Sequence, residues 1–314
     1  MFMNDVHQQA LGFLVSQTTY IEPLVYRIKY PELNYADFVP IDHAAGEWAK
    51  SYTFYSVDQY GKAEWITANT TDIPLADFTR GKHEAAIEMG GIAYRYNLEE
   101  LGQAMMIPGL NLTTERANAA RRASEEMIHN SMMYGDTPKG WLGLINLTGP
   151  DVINVTTTWP AQIALGTAAA VNFITSDVNN AISNIWVSSL GIEFADTVLL
   201  PMSAMTLLAI TQLPNTTMNL LSWLKANNIY TETTGRPLTI MAVRGLDTAG
   251  ASGNGRMIVY RKDPEALKAH VPMPLRFFPA YQKTAFVYEV PAMFRFSALG
   301  LRLPKTMRYI DGIV

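Results

Sequence analysis

Between Asn97 and Asp136 the apolar and polar positions repeat with a helical period. Asn97 with Glu100 three residues on is a capping-box pattern, and it predicts a short helix from Leu98 to Ile107 that Pro108-Gly109 stops. A second helix starts at Thr113 or Thr114 and runs to Tyr134, with Gly135 placed to end it. At the usual rise per residue it is a rod of roughly 30 Å. Ala117, Ala120, Ser124, Met127 and Ser131 share one stripe, small apart from Met127, against which a sheet or helix can lie close to the backbone. Glu115, Asn118, Arg122, Glu125 and His129 lie opposite, and Arg121–Glu125 and Arg122–Glu126 can pair at i,i+4. By periodicity alone this is an ordinary surface helix.

The pattern before the rod is unusual. Residues 1 to about 20 place Val6, Ala10, Phe13 and Leu14 on one side of a short helix. From Thr18 to Asp42 the chain is aromatic and apolar but interrupted by Pro23, Pro31 and Pro40, which favours an extended path. Such an arm lies along something else, either its own core or a neighbour. Glu47 to Val57 alternates as a strand with Trp48, Tyr52 and Phe54 on one face. A polar, turn-rich stretch of about 25 residues, Asp58 to Lys82, follows, and loops of that length are usually functional or disordered. The chain returns with Ala85, Ile87 and Met89 in one phase and Ile92, Tyr94 and Tyr96 in the other, slipping at Gly90-Gly91 as a bulge or bend would require. Glu47 to Tyr96 therefore reads as a two-stranded excursion, marginal alone and in need of a partner surface.

After the rod, Thr167 to Leu190 reads as a helix with Ala170, Ile174, Val178, Ile182 and Ile185 on its buried side. Asp196 to Leu200 reads as a buried strand, Pro201 opens a helix over Met205 to Ile210, and Met218 to Asn227 forms another. Leu238 to Leu246 and Arg256 to Lys262 read as strands of a hairpin joined by the glycine-rich turn DTAGASGNG. Asp263-Pro264 caps a short helix, Glu265 to Ala269, and three proline-broken strands close the chain around Leu275–Phe278, Ala285–Val290 and Met293–Leu303.

Composition narrows the function classes. The chain has 314 residues, 48% hydrophobic and 17% charged, enough for a substantial core, and no cysteine. Disulfides, thiol catalysis and cysteine-ligated zinc are thereby excluded. A net charge of -4 with pI about 5.8 is unlike a basic nucleic-acid binder. The start shows no signal-peptide pattern, and the most apolar stretch, Ala161 to Ile174, is too short for a membrane span, so a soluble protein made inside the cell is expected. The Asn-x-Ser/Thr sites at Asn69, Asn111, Asn146, Asn154 and Asn215 read as accidents of a Thr- and Asn-rich chain.

Candidate chemistry is sparse. Glu126-x-x-His129 has the spacing of di-iron bundles, but no second such motif accompanies it. Gly250 to Gly255 precedes a strand and does not open a helix, so it is a turn and not a phosphate cradle. Ser222 and Lys225 match S-x-x-K without the companion motifs. The histidines, His7, His43, His83, His129 and His270, are scattered. No catalytic, cofactor or metal site is expected. A soluble α/β enzyme with a lid at residues 58–82 would need convergent polar groups that the sequence does not display.

The order of extended arm, β excursion, rod and helix-and-strand domain resembles the major capsid proteins of tailed bacteriophages, the Hong Kong 97-like fold. The stretch RANAARRASEEMIHNSMMYGDTPKGWLGLIN carries the match. YIEPLVYRIKYPELNYADFVPID and MPLRFFPAYQKTAFVYEVPAMFRFSALGLRLPKTMRYIDGI extend it to a divergent group of these proteins and to nearly the whole chain. The resemblance implies an α+β fold with an N-terminal helix and arm (1–46), an E-loop hairpin (47–96), a P domain with the spine helix (97–160 and 271–314) and an A domain (161–270). It implies a structural, non-enzymatic subunit that assembles as pentamers and hexamers into an icosahedral shell around double-stranded DNA, in the host bacterial cytoplasm and away from membranes. Portal, decoration and separate scaffolding proteins are the partners it suggests. An encapsulin-type bacterial compartment is the alternative on the same fold. The residues expected at assembly contacts are Tyr20, Tyr26 and Tyr30 of the arm, Tyr60, Lys62, Trp65, Phe78 and Arg80 of the E-loop, and Arg121, Arg122, Glu125 and Glu126 of the spine. Some relatives crosslink an E-loop lysine; Lys62 and Lys82 lie there but match no motif, and the alternative is a solvated or salt-bridging lysine.

Overall fold

The computed structural model describes residues 30–65, 67, 73–104 and 112–314. The helix expected before residue 20 and most of the arm lie outside them. The described elements begin with α1 (Tyr35–Phe38), β1 (Ile41–Asp42), β2 (Ser51–Tyr60), β3 (Asp77–Asn97), α2 (Leu98–Ala104) and the spine α3 (Leu112–Met133). There follow β4 (Gly135–Asp136), β5 (Trp141–Leu142), β6 (Asp151–Asn154), α4 (Trp159–Leu165), α5 (Thr167–Ser188), β7 (Thr197–Pro201) and α6 (Met202–Ile210). Next are α7 (Leu220–Ala226), α8 (Ile229–Thr234), β8 (Thr239–Val243), β9 (Arg256–Tyr260) and β10 (Leu267–His270). The chain closes with β11 (Met273–Phe277), β12 (Tyr281–Thr284), β13 (Val287–Ser297), β14 (Gly300–Leu301) and β15 (Met307–Asp311).

These elements fall into two compact units. The larger holds Leu33–Gly91, Ser124–Arg276 and Met293–Val314. At its centre is a five-stranded sheet in the order β6-β15-β9-β7-β8. Every residue of β7 is buried, as a strand covered on both faces requires. Alternation sorts the side chains. Leu199, Ile258, Tyr260, Met307 and Tyr309 join Ile128, Met132 and Met133 of the spine in one core. Val198, Leu200, Met257, Val259 and Ile310 join the other, against Ile174, Val178, Ile182 and Ile185 of α5. The buried side expected for α5 is therefore the observed one.

The smaller unit includes Ile92–Ala123 and Phe277–Ala292. Its capping box forms: Glu100 accepts from the Asn97 amide at 3.4 Å, and Asn97 Oδ1 from the Glu99 amide at 3.4 Å. Arg116 ties the spine to α2 through Glu100 at 3.0 Å and donates to the Arg95 carbonyl. Tyr96 stacks on Tyr288 at 5.6 Å, and Tyr94 meets Phe277 edge-on at 5.8 Å.

Several sequence expectations are corrected. The spine ends at Met133, with Gly135 at φ +82°, but its buried stripe passes through Ile128; Met127 is exposed. Trp48 precedes β2 and is exposed, so only Tyr52 and Phe54 share the strand face. Both ends of the expected loop, Asp58–Tyr60 and Asp77–Lys82, are ribbon: β2 and β3 pair from Ser51↔Ala86 to Tyr60↔Asp77. The phase slip falls between Ile87 and Gly90, leaving Met89 exposed. Gly90 is required there because a Cβ would sit 2.4 Å from the Phe294 ring. β8 and β9 form no hairpin; β7 lies between them, parallel to β8 and antiparallel to β9. Of the expected helix 265–269, Glu265 and Ala266 form a turn and Leu267–Ala269 belong to β10, drawn into a strand by pairing with β1 and β14. Val287 to Ser297 is a single strand through Pro291, and β15, not foreseen, lies inside the central sheet.

Candidate assembly surfaces

Ten successive residue pairs hold β2 against β3. Ribbon residues from Tyr55 to Tyr60 and from Asp77 to Arg80 are all exposed. Among the described residues the tip carries large exposed apolar groups: Trp65 is fully exposed, Leu75 is 87% exposed, and Tyr60, Ile73 and Phe78 are more than half exposed. A cluster of this kind on a projecting ribbon marks an interaction site. Gln59 to Ala63, Pro74 and Ala76 to Phe78 line an open cleft of about 570 Å³ at the tip. Arg80 lies 5.6 Å from the Phe78 ring centroid. Lys62 faces Glu64 at 3.6 Å and Lys82 faces Glu84 at 3.2 Å, the salt-bridged alternative for both lysines.

Tyr20 and Tyr26 lie outside the described residues. Tyr30 receives the Arg122 guanidinium 3.7 Å from its ring centroid, a close cation–π contact. Glu125 accepts the Tyr35 hydroxyl at 2.8 Å. Burial, with that bond and the Glu125 charge, pushes the Tyr35 hydroxyl well above its usual range. The spine face assigned to Arg122, Glu125 and His129 thus receives aromatic side chains from residues 30 to 35, while Arg121 and Glu126 are exposed. Ser222 and Lys225 are exposed on α7. Among the described residues no group of three His, Asp or Glu side chains could hold a metal, and no helix is long and apolar enough to cross a membrane.

A cluster at the root of the ribbon had no sequence signal, because LKAH reads as helix. Lys268 and Asp42 pair at 2.5 Å, and the buried His270 ring sits 4.2 Å from Tyr52 with its Nδ1 3.5 Å from Asp42. The Lys268 bond, with the Ala44 amide, holds the Asp42 carboxyl down at about 2. Burial, aided by Lys268 and Arg302 and opposed by Asp42, pushes His270 below its usual value. The sign follows by linkage. His270 stays neutral in the folded state while the unfolded chain takes a proton, so stability is full above about pH 6.5 and falls as pH drops below it. Asp42 adds stability above about pH 4 that is lost toward pH 2. His129, also pushed down by burial, contributes in the same window as His270. Melting temperature measured from pH 7.5 to 5 should fall, and His270→Phe, which keeps the ring on Tyr52, should flatten the slope. An unchanged slope would remove His270 from the account.

The fold is the α+β, Hong Kong 97-like fold of phage capsid subunits. The capsid of Myoviridae phage XM1 superposes with a TM-score of 0.77 at 18% identity, covering 95% of this chain and 97% of that one. Mycobacterium phage Adephagia gives 0.62 at 12% identity, covering 97% of each chain. The capsid of a native GTA particle gives 0.61 at 11%, covering 96% of this chain and 97% of that one. No curated protein matches the chain by sequence. The major capsid protein family matches over residues 61–313, and the chain belongs to it. It is a structural capsid protein, a subunit of a multi-subunit virion shell.

Proposed function

We propose that the subunits assemble as pentamers and hexamers into an icosahedral head around double-stranded DNA, in the bacterial cytoplasm. The observation that carries the intersubunit part is the exposed apolar tip of the ribbon β2–β3. Stable specific interfaces bury about 1,200–2,000 Å². Arm, ribbon and spine acting together reach a closed particle through individually modest contacts. In this reading Tyr20, Tyr26 and Tyr30, the E-loop residues Tyr60, Lys62, Trp65, Phe78 and Arg80, and Arg121, Arg122, Glu125 and Glu126 of the spine serve the contacts. Residues 97–160 with 271–314 form the peripheral part and 161–270 the central part, with β15 entering the sheet of β7 to β9. The mildly acidic chain suits a wall that confines DNA without gripping it. Scaffolding, portal and decoration proteins complete the head. The reading also supports a subunit with no catalytic role.

Light scattering with negative-stain microscopy of the purified protein tests it. Rings of five or six subunits, or closed shells, are expected. A monomer at every concentration and salt, still a monomer when the phage's scaffolding protein is added, would overturn it.

A further inference from the structure

The central sheet ends in an open edge. β6 pairs with β15 on one side and with no strand on the other among the described residues. All its residues are exposed, Val152 and Ile153 included. Two cavities follow each other along the same walls, β6 and α5. One, about 300 Å³, runs between Ile153–Thr156 and the α5 face from Phe173 to Asn184. The next, about 740 Å³, runs between Gly149, Asp151 and the end of α5, closed by Leu303 to Thr306. Residues 149–156 span roughly 23 Å as strand, and Phe173 to Ser188 roughly 22 Å as helix. The walls therefore form one trough the length of a six- or seven-residue extended peptide.

At its far end Leu190 is held at φ +56° and is 90% exposed, beside exposed Ile192. A left-handed leucine costs about 1–2 kcal/mol, and strain of this kind collects at binding sites. Glycine or asparagine is the ordinary residue after a helix, so the subunit's own stability does not explain Leu190.

We propose that this trough accepts Leu24–Lys29 from the arm of a second copy of the chain, added as a strand to the free edge of β6, with Tyr30 kept on its own spine by Arg122. The proposal rests on the shell reading above. Between Pro23 and Pro31, Leu24, Tyr26, Ile28 and Tyr30 alternate with Val25, Arg27 and Lys29, a strand pattern bounded by prolines. The six residues Leu24–Lys29 reach about 20 Å. Of the trough's acids, Asp151 pairs with Arg308 at 2.9 Å and Glu193 with Arg261, while Asp177, midway along the α5 wall, accepts the Trp159 ring N–H and is placed to meet Arg27 or Lys29. Main-chain bonds to the edge would give affinity, and alternate side chains would give register.

The chain has no cysteine, so introduced ones report cleanly. Val152→Cys is paired in turn with Tyr26→Cys and Arg27→Cys, which cover both faces of the added strand. Each protein is assembled, oxidised and run without reductant. A ladder of multimers is expected, and mixed particles of single-cysteine proteins should give only dimers joining the two. The exposed control Arg236→Cys should give no such bond. Adding Leu190→Asn should keep or raise the melting temperature while cutting crosslinked product at least threefold. Shells that form without a ladder, or an unchanged yield with Leu190→Asn, would overturn the proposal. Bridged monomers alone would assign the trough to the chain's own arm and overturn it too. Absence of any particle, even without cysteines, would instead remove the shell reading, and the proposal with it.

Discussion

Removing Gln59 to Arg80 should leave a folded subunit that no longer assembles. The pairing register makes the excision clean: Ser56 faces Gly81, so Val57 and Asp58 become a two-residue turn closing a shortened hairpin. Val57→Asn with Asp58→Gly supplies the turn type that such hairpins favour. Every described residue in the deleted segment is exposed, so neither core loses a contact. The melting temperature of the unassembled subunit should stay within about 4 °C of the parent, since surface changes usually cost within about 0.5 kcal/mol. Assembly should be lost outright, because the deletion takes Tyr60, Trp65, Ile73, Leu75 and Phe78 together. Light scattering reads the particles and circular dichroism reads the fold. Intact shells from the shortened chain would show that the ribbon tip is dispensable, and an unfolded subunit would show that it supports the core.

Local signals were legible and pairing was not. The α5 stripe from Ala170 to Ile185 is buried as its spacing implies, because helical periodicity is a short-range property. The exposed ribbon could be foreseen because aromatic and polar residues alternate around a long polar stretch. The failures are all non-local. LKAH at 267–270 has the composition of a helix, and only β1 and β14, far off in sequence, make it a strand. β8 and β9 are consecutive and strand-like, yet β7, dozens of residues earlier, inserts between them. β15 escapes the sequence pattern because Arg308 and Asp311 interrupt its apolar run; Asp311 is buried with Arg256 as its ion-pair partner. The ribbon-root cluster of Asp42, Tyr52, Lys268 and His270 is likewise assembled from separate strands, and no spacing rule joins them.

That same buried pair gives the largest stability effect expected of a single substitution. Arg256 donates to both Asp311 oxygens, at 2.6 and 2.8 Å, and to the Ile145 carbonyl at 2.7 Å. Its guanidinium lies 4.5 Å from the Tyr309 ring centroid, and Tyr309 donates to the Leu144 carbonyl at 2.7 Å. Asp311 also accepts the Ala251 amide at 2.9 Å, which fastens the glycine-rich segment to the last strand. A Cβ at Gly250 would stand 2.7 Å from the Asn254 carbonyl oxygen, which is why glycine occupies that turn. The side chains are 12% and 2% exposed, so truncating either leaves a buried charge without its partner. Arg256→Ala should therefore cost about 3–5 kcal/mol in urea unfolding of the unassembled subunit. The double replacement Arg256→Met with Asp311→Leu removes both charges and should recover part of the loss. It should not recover all of it, since the carbonyl of the buried Ile145 loses a bond worth about 1–3 kcal/mol and the Ala251 amide loses its acceptor. A single-variant cost under about 1 kcal/mol would mean that water reaches the pair. β15 would then be held by its backbone pairing to β6 and β9 and by the packing of Tyr309 and Ile310, not by charge.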